Sequence, residues 1–174
     1  MENTTVFDED YVYPNDVTTV NLNTLYISAS MSDLSEEEYL ELRDFVRRLV
    51  PILKDKCEFT SIYSPLLQID NKEDFDGNVK AIGDNFPKMK QAESLLVIYP
   101  EYKPSSVLIE IGYGLALTKN TVVFYKGDLP YMLKGSAQSI DHIGTWQYKE
   151  YEDIEKHIRK NGSQLFKMGR KGKQ

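Results

Sequence analysis

The segment that most constrains the fold of this chain is residues 94–99, with the sequence SLLVIY. Its apolar side chains do not alternate with polar ones, as they would in a strand with one face in water. A short, continuous apolar run of this kind is typical of a strand that is covered on both faces. The segment therefore predicts the central strand of a parallel sheet packed between two layers of helices.

Strand-like and helix-like patterns alternate along the rest of the chain. Further strands are predicted at residues 24–29, 57–63, 121–125 and 143–148, and helices after Ser35 to about residue 53 and at 78–91, 104–118 and 151–160. Such alternation implies parallel strands joined by right-handed crossovers. We therefore expect an α/β domain of flavodoxin-like, three-layer architecture, with a central, mostly parallel sheet of about five strands. In such sheets a ligand binds beyond the carboxyl ends of the strands.

The length of 174 residues fits one domain, and both ends of the chain are polar. Residues 1–22 are predicted to form a polar N-terminal arm, residues 23–162 the α/β domain, and residues 163–174 a basic C-terminal tail. The α/β domain is therefore the part in which we look for a site.

The balance of charges limits the partners of the chain. It has 21 lysines and arginines against 27 acidic residues, a net charge of −6, which argues against broad nucleic-acid binding and against anionic membranes. No apolar run reaches the roughly 18 residues of a membrane span, and the polar residues 1–4 do not resemble a signal peptide. We expect a cytoplasmic protein with neither nucleic acid nor a membrane as its partner.

Cysteine and histidine are too few for several kinds of site. The single cysteine, Cys57, excludes an intrachain disulfide and is interpreted as a small buried apolar residue. The two histidines, His142 and His157, show no metal-ligand spacing and lie far from any activated serine or cysteine signature. We therefore expect no metal, no resident cofactor and no nucleophile that depends on histidine.

Glu110 is the residue that most suggests chemistry. It is the only acid in the first turns of an otherwise apolar predicted helix that follows the central strand. One interpretation is structural, because acids in first turns compensate the helix dipole. The other is a partly desolvated carboxylate that acts on a sugar C1, as a nucleophile or by stabilising an oxocarbenium-like centre. Gly112 and Gly114 allow close packing or close ligand approach, but they do not form a dinucleotide fingerprint.

Residues 105–114, SSVLIEIGYG, resemble a segment shared by two related groups of enzymes. One is the nucleoside 2-deoxyribosyltransferases and the other is the Toll/interleukin-1 receptor (TIR) domains. Both act at a ribosyl N-glycosidic bond through a glutamate of this segment. The resemblance covers roughly residues 22–160 and implies that Glu110 is catalytic and that Ser106 and Tyr113 bind the substrate.

Weaker similarities concern two strand ends. Residues 26–30 resemble the first strand and sugar-binding loop of both groups, which implies that Ser28, Ala29 and Ser30 lie near ribose or phosphate. Ordinary packing at a strand end explains these residues equally well. Tyr63 follows the second strand in a similar segment, where it either stacks on a base or belongs to the core.

Asp84 and Asn85 resemble the stretch in which the transferases carry an acid for the base. The register that we favour puts Asn85 at the position of that acid and leaves Asp84 beside it. Without a secure second acid, a leaving group that needs protonation is less favoured.

The TIR resemblance implies an NAD⁺ glycohydrolase that cuts the nicotinamide–ribose bond and releases linear or cyclised ADP-ribose. Nicotinamide leaves as a neutral base, so no strong acid is needed. The same resemblance implies a role in bacterial antiphage defence and self-association, with activity that rises steeply with protein concentration. A nucleoside 2-deoxyribosyltransferase or nucleotide N-glycosidase is the alternative enzyme. A TIR-type protein-interaction module without activity, in which Glu110 is structural, is the other alternative.

Overall fold

Residues 21–31, 34–70, 78–102 and 104–167 are described by a computed structural model of the protein. The strands are β1 (Asn21–Ala29), β2 (Ser61–Tyr63), β3 (Ala92–Tyr99), β4 (Asn120–Tyr125) and β5 (Ile143–Gln147). The α-helices are α1 (Glu36–Cys57), α2 (Asn78–Gln91), α3 (Ser105–Ala116), α4 (Tyr131–Ser139) and α5 (Tyr151–Asn161). Two short 3₁₀ helices, Pro65–Leu67 and Gly162–Phe166, complete these elements. None of the described helices is long and apolar enough to cross a bilayer.

The five strands form one sheet in the order β2-β1-β3-β4-β5, and every neighbouring pair is parallel. No residue of 94–99 is more than 2% exposed, so the prediction of a central strand covered on both faces is confirmed. The flavodoxin-like, three-layer architecture is confirmed as well. The direction in which strands are added reverses between β1 and β3, and sheets of this order bind ligands in the crevice at that reversal.

The two faces of the sheet carry separate cores because neighbouring residues of a strand point to opposite sides. Leu25 and Ile27 of β1 pack with α1 and α5, whereas Tyr26 packs with α2, α3 and α4. Helix α1 begins at a capping box, in which the Ser35 hydroxyl accepts from the Glu38 amide and the Glu38 carboxylate accepts from the Ser35 amide. That box satisfies two polar groups that the helix start would leave unpaired.

The largest difference from the sequence prediction is at β2, which was expected to begin at Cys57. Helix α1 instead continues through Pro51 to Cys57, and Glu58 ends it with a left-handed backbone (φ 63°). Burial of Ile52, Leu53 and Cys57 extends the apolar face of the helix past the proline. Only three residues are left for β2, while Cys57 is buried as predicted.

Two segments after β4 were not predicted. Helix α4 buries only Leu133, so its sequence lacks the repeated apolar spacing that indicates a helix. Leu165 and Phe166 were assigned to the tail at 163–174, but both are buried, and the Phe166 ring meets the Phe59 ring edge-on at 4.8 Å. Of the predicted arm, residues 21 and 22 belong to β1. Residues 1–20 and 168–174 lie outside the described residues.

Candidate active site

Glu110 lies on α3, and its carboxylate accepts two hydrogen bonds from β1. Oε1 accepts from the Tyr26 hydroxyl at 3.0 Å, and Oε2 accepts from the Ser28 hydroxyl. Tyr26 and Ser28 are two residues apart on one strand, so both side chains point to the α3 side of the sheet. The carboxylate therefore lies at the β1/β3 reversal and is tied to the sheet, rather than to the first turn of its own helix.

Burial and hydrogen bonding act in opposite directions on this carboxylate. Burial raises the pKa of Glu110, whereas the hydrogen bonds from Ser28 and Tyr26 lower it, and the net effect is a raised pKa. No salt bridge between described residues involves Glu110. A desolvated carboxylate without a cationic partner is costly in a fold and is a common feature of functional sites.

A cavity of about 710 Å³ lies between α2 and the chain that follows β2. Tyr63, Gln68, Asp84, Asn85 and Lys88 are among its lining residues, but Glu110 is not. The Tyr63 ring lies 5.6 Å from the ring of Tyr26, which in turn contacts Glu110. Tyr63 on the cavity wall is thus linked to the carboxylate through Tyr26.

Electrostatic interactions also link Tyr63 on the cavity wall to the Glu110 carboxylate. Burial is the main reason that the pKa of Tyr63 is raised, and the negative charges of Asp84 and then Glu110 raise it further. The Tyr63 hydroxyl donates to Oδ1 of Asn85 at 3.2 Å. The Lys88 ammonium lies 5.9 Å from the centre of the Tyr63 ring. Tyr63 therefore contacts polar groups on the wall of the cavity and does not belong only to the core.

The other residues predicted for the site lie around the same edge of the sheet. Ala29 is partly buried at the end of β1, and Ser30 is buried with no hydrogen-bond partner for its hydroxyl among the described residues. Ser106 is exposed in the first turn of α3. Tyr113, one turn after Glu110, stacks on the Phe86 ring at 4.6 Å. The structure thus brings Ser28 into contact with Glu110 and joins Tyr63 to Asn85, while Ser106 stays on the surface.

Tyr26 is a residue of the site that the sequence analysis missed. Its hydroxyl is one of only two side-chain donors to Glu110 in the hydrogen bonds of the described residues. The available signal was the spacing of Tyr26 and Ser28, two polar side chains at positions i and i+2 of a buried strand. That spacing places them on one face but does not identify the residue that they contact.

Comparison with known proteins gives a similarity of fold. No family model matches the sequence, and no curated protein matches it significantly. A solved structure that shares the fold is the CMP N-glycosidase BcmB from Clostridium botulinum, with a TM-score of 0.58 and 10% identity over 78% of this chain and 97% of that chain. At this identity the similarity shows the α/β fold alone. The sequence comparisons give no support for membership of the TIR family.

Proposed function

We propose that this protein cleaves the N-glycosidic bond of a nucleotide, with Glu110 as the residue that acts at the sugar C1. The observation that carries this proposal is the partly buried carboxylate, held at the β1/β3 reversal by Tyr26 and Ser28 and lacking a cationic partner among the described residues. The shared fold with a CMP N-glycosidase supports the same class of reaction.

The reaction follows from the charge that develops on the sugar. The bond between C1 and the base nitrogen breaks, its electron pair leaves with the base, and C1 becomes oxocarbenium-like. An ionised Glu110 stabilises that positive charge, or forms a bond to C1 that water then hydrolyses. Water supplies the oxygen that ends on C1 and loses its proton to solvent. Tyr26 and Ser28 act through Glu110, because their hydrogen bonds favour its ionised form and fix its direction.

NAD⁺ is the substrate that the charges near the cavity favour. Among the described residues of the cavity wall, Asp84 and Lys88 have opposite charges, and Asp70 is paired with Arg47 at 3.1 Å. The unbalanced charge is then that of Glu110, which lies behind Tyr26 and not on the cavity wall. The remaining charge is negative, which suits the cationic ring of an N-ribosylpyridinium compound. Such a ring leaves as a neutral base and needs no proton from the protein.

A nucleoside monophosphate such as CMP is the second candidate, and the similarity to the CMP N-glycosidase favours it. A base that leaves from an uncharged glycosidic bond usually needs a proton. Among the cavity residues that the structure describes, Asp84 is the carboxyl group available for that step, because Asp70 forms an ion pair with Arg47. Transfer of a deoxyribosyl group to a second base would use the same carboxylate at C1.

The experiment is to incubate the protein separately with NAD⁺, with CMP, and with a deoxynucleoside plus a free base, and to follow the products by chromatography. We expect free nicotinamide from NAD⁺. Release of cytosine from CMP alone would favour the second candidate, and base exchange alone would favour a transferase. Absence of all three products, also at high protein concentration, would contradict the proposal and favour an interaction module.

Glu110→Gln is expected to reduce kcat by about 10³-fold, because one electrostatic contribution of this kind is worth about 4 kcal/mol in the transition state. The substitution is nearly isosteric, so binding of the intact nucleotide should persist. Single-turnover measurements separate the two effects. An activity within about threefold of the unmodified protein would exclude Glu110 as the group that acts at C1.

The same variant tests the cost of burying the charge. An acid whose pKa is raised by folding destabilises the fold when it is ionised, and this cost disappears as the pH falls through the folded pKa towards the ordinary pKa of 4.5. We expect Glu110→Gln to melt at the same or a higher temperature near pH 8, with the difference vanishing near pH 4.5. A large loss of stability at pH 8 would instead indicate a structural role.

A further inference from the structure

The side chain of Asn85 has a defined orientation on the wall of the cavity. The Tyr63 hydroxyl donates to its carbonyl oxygen, Oδ1, at 3.2 Å, and both residues line the cavity. An asparagine amide has one acceptor oxygen and two N–H donors. Because Tyr63 engages the oxygen, the N–H donors are the groups that remain for a ligand.

The position of this amide suits a contact with the leaving base rather than with the sugar. Glu110 and Asn85 contact different members of the Tyr26–Tyr63 pair, whose rings are 5.6 Å apart. If the sugar C1 lies at Glu110, Tyr63 and Asn85 are the groups that the Tyr26 contact connects to it on the cavity wall, where a base would lie. Aromatic rings of this kind provide a stacking surface for a base.

We infer that Asn85 is the residue that determines which base is cleaved, and this inference rests on the proposed function. Its N–H groups would donate to an acceptor on the base, such as the carboxamide oxygen of nicotinamide. An amide cannot deliver a proton to a leaving group at neutral pH, whereas a carboxyl group at the same position can. The substrate class is therefore an N-ribosylpyridinium compound with a carbonyl substituent, and bases that must be protonated to leave are cleaved poorly.

Asp84 is the residue that could contradict this assignment, since it adjoins Asn85 and lines the same cavity. It is exposed, whereas Asn85 is partly buried, and it affects Tyr63 through its charge. The pair therefore offers two reciprocal substitutions. Asn85→Asp replaces an amide by a carboxyl group, and Asp84→Asn makes the opposite change at the neighbouring position.

The test measures kcat and KM for NAD⁺ and for CMP in the unmodified protein and in three variants. We expect Asn85→Leu to raise KM for NAD⁺ about tenfold with little change in kcat, because it removes binding that is equal in the ground and transition states. Asn85→Asp should raise the ratio of CMP to NAD⁺ cleavage at least tenfold, and the ratio should grow as the pH falls towards the acidic limit of activity, because the protonated fraction of the new carboxyl group increases. If Asp84→Asn changes this ratio and Asn85→Asp does not, the assignment to Asn85 is wrong.

Calorimetry with free nicotinamide separates this inference from the proposed function. Cleavage that is unaffected by Asn85→Leu and Asn85→Asp overturns the inference and leaves the function intact. Nicotinamide binding that weakens about tenfold in Asn85→Leu, in a protein that cleaves neither nucleotide, supports base recognition and overturns the glycosidase. A protein that binds no nicotinamide at millimolar concentration, or binds it equally in the variant, overturns the inference. Circular dichroism of each variant establishes that it is folded.

Discussion

The carboxylate of Glu110 is held by neutral groups, and this determines how it should respond to pH. A lysine or arginine partner would have lowered its pKa strongly and also cancelled its charge. Two hydroxyl donors favour ionisation while leaving the negative charge available to a cationic transition state. The balance between these donors and burial therefore sets the lowest pH at which Glu110 is ionised.

Removing either donor should raise that pH. Tyr26→Phe and Ser28→Ala each delete one hydrogen bond to a charged acceptor, worth about 1.5–3 kcal/mol. We expect each variant to lose about tenfold or more in kcat/KM at neutral pH. We also expect the acidic limb of the rate profile to move to higher pH, because the pKa of Glu110 rises further when a donor is lost. A purely structural role would lower the melting temperature without moving this limb.

Tyr99→Phe is the matched control for Tyr26→Phe. Tyr99 ends β3 at the same edge of the sheet, and its buried hydroxyl has no hydrogen-bond partner among the described residues. Deleting an unpaired buried hydroxyl should leave stability unchanged or improve it. Its pH–rate profile should match that of the unmodified protein. A shift in Tyr99→Phe equal to that in Tyr26→Phe would show that the effect does not arise at Glu110.

At the level of elements, the distance between α3 and the sheet positions the carboxylate. A Cβ atom on Gly114 would lie 2.7 Å from Cδ2 of Leu95, a fully buried residue of β3. Gly114 is one turn after Glu110 on the same helix. The absence of a side chain at Gly114 thus lets α3 approach β3 closely enough for Glu110 to reach Tyr26 and Ser28.

Gly114→Val should therefore push α3 away from the sheet. Overpacking of this kind costs about 1–3 kcal/mol, and the displacement should lower kcat more than it raises KM. Gly112→Val is the matched control, because Gly112 is exposed and a Cβ there meets nothing within 4 Å. Urea unfolding and steady-state kinetics of both variants test this. Equal losses in the two variants would contradict a packing origin.

Two of the strands that sequence analysis identified well, β3 and β4, are buried almost continuously. The range of α2, at 78–91, agrees with the structure, and those of β3, β4 and α5 agree within two residues. Helix α4 has too few buried residues to produce a pattern, and the start of β2 was assigned to an apolar run that belongs to α1. Local periodicity predicts an element from the burial pattern of its own residues. It predicts poorly where contacts with neighbouring elements determine whether a segment is a helix or a strand.

The site shows the same limit. Glu110 was identified because an acid in an apolar helix is unusual, and Asn85 because of its position in a motif. The role of Tyr26 depends on which side chain of α3 lies opposite β1. Its contact with Glu110 joins residues that are 84 positions apart in the sequence. No local pattern encodes such a pairing, so the hydrogen-bonding partners of the carboxylate required the fold.

For the whole molecule, the core between the sheet, α1 and α5 lies on the face opposite Glu110, so it can contribute to stability without contacting the site. His157 of α5 lies in the layer opposite Glu110, between the rings of Phe124 at 5.5 Å and Trp146 at 5.2 Å. Burial, and then the charge of Lys160, lowers the pKa of His157 below its ordinary value of 6.5. A change in its protonation therefore affects the packing of α5 without contact with the cavity.

The free energy of unfolding should consequently fall as the pH drops below about 6.5. A histidine with a lowered folded pKa contributes its full stability above the unfolded pKa, and the contribution is lost as the unfolded state takes up its proton. His157→Phe keeps an aromatic ring and removes the titration. Urea unfolding between pH 7.5 and 5.5, at intervals of about half a unit, should show a flatter pH dependence in the variant. Parallel curves for the two proteins would exclude His157 as the source.

The long separation along the chain between β1 and Glu110 has a consequence for biosynthesis. A ribosome releases the two hydroxyl donors early, but the carboxylate only after most of the sheet has been translated. A truncated or nascent polypeptide that ends before α3 therefore has no reactive centre at all. On the proposed function, no cleavage can therefore begin before residue 110 of the 174 has been added.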